Sequence, residues 1–203
     1  MGFLRDLFGP SRGEIWRQLA AEIGGQYVEG GFWKGDKVQA RVGQWVVTLD
    51  TFTESSGETH NTYTRLRAPY VNKDGFRFCV YREGFFSRIG RMLGMQDIEI
   101  GDGRFDADFV VQGNNESQLR RLFADVEVRG FLHAQPSVHF EVRDDEGWFG
   151  ADFPEGVDEL YFRASGTIRD IERLKDLYAL FTAVLDRLCV IGSAYQTPPG
   201  VEL

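Results

Sequence analysis

The sequence predicts an α+β fold, with an antiparallel β-meander sheet packed by N- and C-terminal helices. Apolar residues recur with helical spacing over 15–23 and 171–188, and they alternate with polar residues over much of 37–83. Turn residues separate the alternating segments, which is typical of a meander. Helices before and after a run of strands favour a sheet with its helices segregated to one side.

Composition and charge exclude several classes of protein. Of the 203 residues, 42% are hydrophobic, which is enough to bury a core and argues against a disordered chain. The net charge of -8 argues against general nucleic-acid binding, because phosphates require a basic surface. The longest apolar runs are shorter than the roughly 18–20 residues of a transmembrane helix. We expect one domain over 11–192, an amphipathic segment over 1–10 and a loose tail over 193–203.

The first half of the chain predicts one helix followed by four strands. Ser11 and Glu14 form the S-x-x-E pattern of a capping box at the start of the helix, and a glycine pair ends it. Alternation predicts strands over 38–42, 45–52, 63–68 and 76–83. We also expect a two-residue hairpin loop at Gly43, a polar loop over 53–61 and an interruption at Pro69.

The second half predicts further helices and strands. Expected helices cover 85–93, 115–133 and 171–191, and Asp170 and Gly192 are the expected caps of the last one. Expected strands cover 96–100, 104–112, 136–142 and 160–164, and a long acidic loop covers 144–158.

Four carboxylates are expected to share one face of a hairpin formed by the strands over 96–100 and 104–112. They are Asp97, Glu99, Asp106 and Asp108. Like charges across a strand pair are unfavourable, so a divalent cation or arginine side chains should compensate them. The basic block over 63–94 directly precedes this hairpin, and we therefore expect Arg65 and Arg67 to pair with it. This interpretation requires no metal and no cofactor.

Five arginines of the basic block are candidates for binding an anion or an acidic partner. They are Arg65, Arg67, Arg77, Arg88 and Arg91. Guanidinium groups bind phosphate and carboxylate through two parallel hydrogen bonds. The alternative is pairing within the chain, to the acidic block over 95–160.

Two aromatic segments are candidates for contact with a partner. Trp148, Phe149 and Phe153 lie in the long acidic loop, where they either face a partner or fold back onto the core. The segment over 1–10 is too short to be a stable helix alone. Its apolar residues must therefore dock on this domain, on a partner or at a membrane surface.

The sequence lacks the recognised catalytic signatures. It contains no phosphate loop, no G-x-S-x-G, no H-E-x-x-H and no G-x-G-x-x-G. The three histidines show no spacing that would pair one of them with Cys79 or Cys189 as a nucleophile. Both cysteines are expected to be buried free thiols in a reducing compartment.

The C-terminal half carries a pattern of elements, in which Phe105-Asp106 through Phe109-Val110-Val111 is followed by a helix, two strands and the final LYALFTAVLDRL helix. In this pattern it resembles an uncharacterised bacterial domain family, where an F-D-x-x-F strand precedes a helix–strand–strand–helix ending. The resemblance implies a bacterial origin, no particular activity and no functional residues.

The sequence therefore indicates a non-enzymatic binding or adaptor protein. We expect it in the cytoplasm, with the periphery of the inner membrane as a second possibility, and with a protein partner or a membrane surface as its target. The alternative is a metal-dependent hydrolase or another enzyme that uses the acidic hairpin. An enzyme requires carboxylates that converge in a concave pocket, whereas an adaptor requires an exposed patch.

Overall fold

The computed structural model describes residues 10–31, 35–57, 59–82, 96–144, 153–201 and 203. Within these ranges the helices are α1 (Arg12–Glu22), α2 (Gly103–Asp108), α3 (Glu116–Phe123), α4 (Val126–Ala134) and α5 (Ile171–Ile191). The strands there are β1 (Gln26–Val28), β2 (Lys37–Val42), β3 (Trp45–Ser56), β4 (Thr59–Val71), β5 (Phe78–Arg82), β6 (Gln96–Asp97), β7 (Phe109–Gly113), β8 (His139–Arg143) and β9 (Val157–Ser165). The predicted α+β class is confirmed.

The described strands form one antiparallel sheet in the order β1-β2-β3-β4-β9-β8-β5-β7-β6. The first four strands are consecutive neighbours, as the predicted meander requires. The fifth strand departs from this meander. β9 occupies the free edge of β4, so β5 pairs instead with β7 and β8. Long connections therefore bring the last strands of the chain into the middle of the sheet.

The hairpin between β3 and β4 is longer than predicted. The polar segment expected as a loop continues both strands, and Gly57 at φ 61° makes the turn. Threonine is a β-branched residue that suits an exposed strand, and the hydroxyls of Thr53 and Thr62 lie 3.2 Å apart across the pair. Pro69 does not interrupt β4, because the ladder to β3 ends at Arg67 and the strand beyond it is paired on one side.

Helix N-caps explain two differences between the predicted and the observed elements in the second half of the chain. The segment expected as a strand over 104–108 is α2, because the Asp102 carboxylate accepts hydrogen bonds from the backbone N–H groups of Arg104 and Phe105. The helix expected over 115–133 is divided into α3 and α4, since Asp125 caps a new helix start. The helix expected over 85–93 and most of the acidic loop lie outside the described residues.

The hydrophobic core lies between one face of the sheet and the helices. The predicted caps are present, with a full capping box at Ser11, the Asp170 side chain at the start of α5, and Gly192 at φ 87° after its end. Phe181 of α5 packs edge-on against Phe140 of β8, with ring centroids 5.8 Å apart. Among the described residues, no helix is long and apolar enough to cross a membrane.

Candidate functional site

The opposite face of the sheet, which we call the polar face, carries side chains that do not belong to the hydrophobic core. Pairing registers align one residue from each described strand into a single row across this face. The row consists of Gln26, Gln39, Thr48, Arg67, Tyr161, Glu141, Cys79, Gln112 and Asp97. Since side chains alternate along a strand, the charged neighbours two positions away lie on the same face.

Arg65 and Arg67 share one carboxylate at the centre of the polar face. Arg65 Nε donates to Asp50 at 2.6 Å, and Arg67 Nη2 donates to the same carboxylate at 2.8 Å. The expectation that these arginines pair with the acidic hairpin is wrong, because the β3–β4 register places Asp50 directly opposite Arg65. Burial lowers the pKa of Arg67, and the charge of Asp50 opposes that change.

Glu159 is a buried carboxylate next to these arginines. Its side chain is fully shielded from solvent, and neither carboxylate oxygen has a hydrogen-bond partner among the described residues. Burial raises the pKa of Glu159 to about 7, against the opposing charges of Arg67, Arg143 and Arg65. Glu159 is not a candidate in the sequence, because it lies between the expected acidic loop over 144–158 and the expected strand over 160–164.

Three residues with metal-ligand or nucleophile chemistry meet on β5 and β8. One potential ligand atom from each of Cys79, His139 and Glu141 lies within 4.8 Å of the others, and all three residues are buried. His139 Nε2 lies 2.9 Å from Glu141 Oε1, which also contacts Arg143. The sequence places His139 and Glu141 on one strand face, but the contact with Cys79 depends on a pairing between strands about 60 residues apart.

Glu141 is the centre of this cluster. Burial by itself raises the pKa of Glu141, but the close contacts of His139 and Arg143 with its carboxylate outweigh burial and hold the pKa at about 2. Burial raises the pKa of the Cys79 thiol far above its ordinary range. A nucleophilic cysteine has a lowered pKa, set by a neighbouring histidine, another cation or a helix N-terminus. The cluster therefore fits a buried ion-pair network better than a catalytic triad.

The donor types of the same cluster suit zinc, which binds cysteine, histidine and carboxylate ligands. A metal ion would have to displace the contacts that Arg143 and His139 make with Glu141, and it would need the Cys79 thiolate. These requirements make the cluster a poor metal site.

Only the ends of the predicted acidic hairpin pair, β6 with β7, because the first part of the expected second strand is α2. Asp97 accepts a hydrogen bond from a side chain of β7, and Asp106 accepts two from the backbone N–H groups of residues 100 and 101. Asp108 lies 3.1 Å from His133, and Glu99 is exposed. Three of the four carboxylates thus have separate partners and the fourth is exposed, so they do not make the shared site that the metal alternative requires.

The other sequence candidates are not brought to one place. Arg77 forms ion pairs with Asp144 and Asp158, away from the carboxylate that Arg65 and Arg67 share. Phe153 is half-buried. Arg88, Arg91, Trp148 and Phe149 lie outside the described residues, as do Phe3, Leu4, Leu7 and Phe8.

A groove of about 710 Å³ lies at the β1–β3 end of the polar face. Its lining comes from the turn after α1, from strands β1 to β4, and from the tail. The lining residues are Gly24, Gly25, Gln26, Lys37, Gln39, Arg41, Gln44, Val46, Thr48, Pro69, Pro198, Pro199, Gly200, Val201 and Leu203. The volume is in the range typical of small-molecule sites, about 300–1,000 Å³.

Local features of the sequence build this groove. A side chain at Gly25 would place its Cβ 2.7 Å from the backbone oxygen of Gln39, so a glycine lets the turn after α1 pack on β2. The tail predicted to be loose bonds to the sheet at two places. Tyr195 N donates to the Val71 oxygen at 3.1 Å, and Lys37 Nζ donates to the Leu203 oxygen at 2.6 Å.

Comparisons with known proteins show similarity of fold alone. Neither a family model nor a curated protein matches the sequence. Among solved structures, the crystal structure of the mycobacterial trehalose monomycolate transport factor A, TtfA, is similar with a TM-score of 0.52. The sequences are 13% identical, and the match covers 94% of this chain and 98% of that chain.

Proposed function

We propose that this chain is a non-enzymatic binding or adaptor protein whose binding site is the groove on the polar face. The groove is the observation that carries the proposal, because it is concave, mixed in polarity and open between the sheet and the tail. The residues suited to catalysis, in contrast, are buried and already paired with one another.

The structural neighbour is named a transport factor, and that name supports a role of this class for a chain of similar fold. A bacterial origin, a cytoplasmic location and attachment to the inner membrane through residues 1–10 belong to the same proposal. The support for attachment is the amphipathic sequence of that segment.

The test compares two tryptophan variants of the full chain. Gln44 is exposed at the β2–β3 hairpin loop and lines the groove, so Gln44→Trp should block the groove without disturbing the core. Arg104→Trp, at an exposed position on α2, is the matched control. Molecules that co-purify with the wild-type chain, identified by mass spectrometry, should also appear with Arg104→Trp and be lost with Gln44→Trp. Equal recovery with both variants would contradict the proposal.

A second candidate function is thiol chemistry at Cys79, favoured by the cluster with His139 and Glu141. Iodoacetamide distinguishes it from the first, because it alkylates thiolates at a rate set by exposure and pKa. We expect no modification of Cys79 in the native chain and full modification in the unfolded chain. Rapid modification of native Cys79, abolished in a His139→Gln variant, would favour the enzyme.

A further inference from the structure

The groove differs in charge from the chain that surrounds it. The chain carries 31 acidic and 23 basic side chains, yet the described lining of the groove contains Lys37 and Arg41 and no aspartate or glutamate. Field lines from two cations in a concave site reinforce each other, so such a lining attracts anions. The described lining of this groove is thus basic, although the chain as a whole is acidic.

Arg41 is available for a ligand, in contrast to other arginines of the polar face. Arg65, Arg67, Arg143 and Arg163 each form an ion pair with a carboxylate. Arg41 is exposed and makes no ion pair or side-chain hydrogen bond with the described residues. A cation that folding leaves unpaired in a groove is a suitable binding group for a carboxylate or phosphate.

Neighbouring side chains on one face of β2 already bind an oxygen acceptor within the chain. Lys37, Gln39 and Arg41 alternate along β2 and therefore share one face of the strand. Two of them hold the backbone oxygen of Leu203, at 2.6 Å from Lys37 Nζ and 3.1 Å from Gln39 Nε2. These two bonds tie the tail to β2. Arg41 is the third side chain on this face of β2, and it makes no such bond.

Apolar residues line the rest of the groove. Val46 and Pro69 come from the sheet, and Pro198, Pro199 and Val201 come from the tail. An apolar chain placed among these residues is removed from water, which contributes to binding in proportion to the area buried.

We infer that the groove binds a small organic anion with an aliphatic body, its carboxylate or phosphate on Arg41 and its body between β3 and the tail. This inference rests on the proposed function and specifies its ligand. The amide groups of Gln39 and Gln44, which also line the groove, supply further hydrogen-bond donors to the anion.

Isothermal titration calorimetry with three eight-carbon probes tests the inference on the full chain. Octanoate and octyl phosphate present the two anionic groups, and octyl glucoside presents the same body without charge. We expect the two anions to bind and the glucoside to bind at least about tenfold more weakly, because a charged hydrogen bond is worth about a factor of ten or more. The affinity of the anions should fall as salt concentration rises.

Variants at position 41 identify the anion-binding group. Arg41→Gln should lower the affinity for octanoate and for octyl phosphate at least about tenfold, whereas Arg41→Lys should retain most of that affinity. Arg104→Gln removes an equal charge on α2 and should leave binding unchanged. Both arginines are exposed, so each variant should fold as the wild type does. Circular dichroism and the melting temperature check this.

Three results would overturn the inference. They are equal binding of the anions to wild type and Arg41→Gln, equal binding of octyl glucoside and octanoate, and failure of both anions to bind wild type at millimolar concentration. If the octyl anions fail while Gln44→Trp still removes the co-purifying molecules, the groove binds a ligand of another class. If both experiments fail, the groove is not the binding site.

Discussion

Glu159 and Glu141 lie on neighbouring strands of the polar face, yet their pKa values differ in opposite directions from the ordinary value of 4.5. Burial dominates at Glu159 and raises its pKa to about 7, because no described donor bonds to its oxygens. Burial also opposes ionisation at Glu141, but His139 and Arg143 bind that carboxylate directly and hold its pKa at about 2. Direct contact, and not depth alone, sets the direction in which the pKa of each carboxylate moves.

The raised pKa of Glu159 predicts the pH dependence of stability. Between pH 4.5 and 7 the folded chain binds more protons at this position than the unfolded chain, so the free energy of unfolding falls as pH rises through that window. Glu159→Gln should abolish this loss, raising the free energy of unfolding at pH 8 by up to about 3 kcal/mol and changing it little at pH 4.5. Urea unfolding of both proteins at the two pH values measures the difference. An equal effect at both pH values would contradict it.

The ion pairs of Asp50 predict a second effect of a single residue on the free energy of unfolding. Its carboxylate binds both Arg65 and Arg67, and Arg67 is buried with 6% of its surface exposed. Asp50→Asn should reduce the free energy of unfolding by about 3 kcal/mol, because removing one partner of a buried ion pair is strongly destabilising.

The control for Asp50 is Glu116→Gln, which breaks the exposed pair with Arg120 on α3 and should cost less than about 1 kcal/mol. Urea unfolding at low and high salt compares the two. Similar and salt-sensitive losses in both variants would show that the central pair behaves as a surface ion pair.

At the scale of single elements, α5 shows how sequence pattern and packing agree. Its apolar residues recur at helical spacing, and the cap at each end matches the predicted one. The segment over 104–108 shows the opposite case. There the strand-like alternation is real, but the Asp102 cap satisfies backbone N–H groups locally and a short helix forms.

The α5 packing predicts the cost of truncating its buried face. Leu177 and Leu185 are completely buried in the core. Leu177→Ala or Leu185→Ala should reduce the free energy of unfolding by about 2–5 kcal/mol, as in other leucine truncations that leave a cavity. Val190 on the same helix is 66% exposed, and Val190→Ala should change stability by less than about 0.5 kcal/mol. Losses below 0.5 kcal/mol for both leucine variants would show that this face is not the core.

At the scale of the whole molecule, the sheet order joins distant parts of the chain. The row across the polar face runs from Gln26 near the start of the domain, through Tyr161 near its end, to Asp97. Only pairing of β9 with both β4 and β8 makes that row continuous. The groove has the same origin, since its tail and its sheet strands are far apart in sequence.

Deletion of residues 1–9 tests whether the amphipathic segment is an attachment site. The fold should remain intact, because Ser11 and Glu14 complete the capping box of α1 without that segment. Sedimentation with vesicles of phosphatidylglycerol and phosphatidylcholine should fall relative to the full chain, whereas the urea unfolding midpoint should not change. Equal sedimentation of the two proteins would exclude the segment as a membrane anchor.

The sequence by itself determined what depends on neighbours within a few turns of the chain. The α+β class, the β2–β3 hairpin at Gly43, the capping box at Ser11 and the limits of α5 follow from local period and capping, which a single segment displays. The local pattern was ambiguous in two places. At Asp102 a helix cap competes with strand-like alternation, and in the β3–β4 hairpin the polar threonines suit both a loop and an exposed strand.

The tertiary structure alone decided the candidate site. Arg65 and Arg67 are conspicuous in the sequence, but their partner Asp50 follows from strand register. Cys79 meets Glu141 because β5 leaves the meander and pairs with β8. Arg41 becomes distinctive because folding pairs other arginines of the polar face with carboxylates and leaves this one exposed in a groove. Charge partners depend on long-range pairing, which local hydrophobic periodicity does not encode.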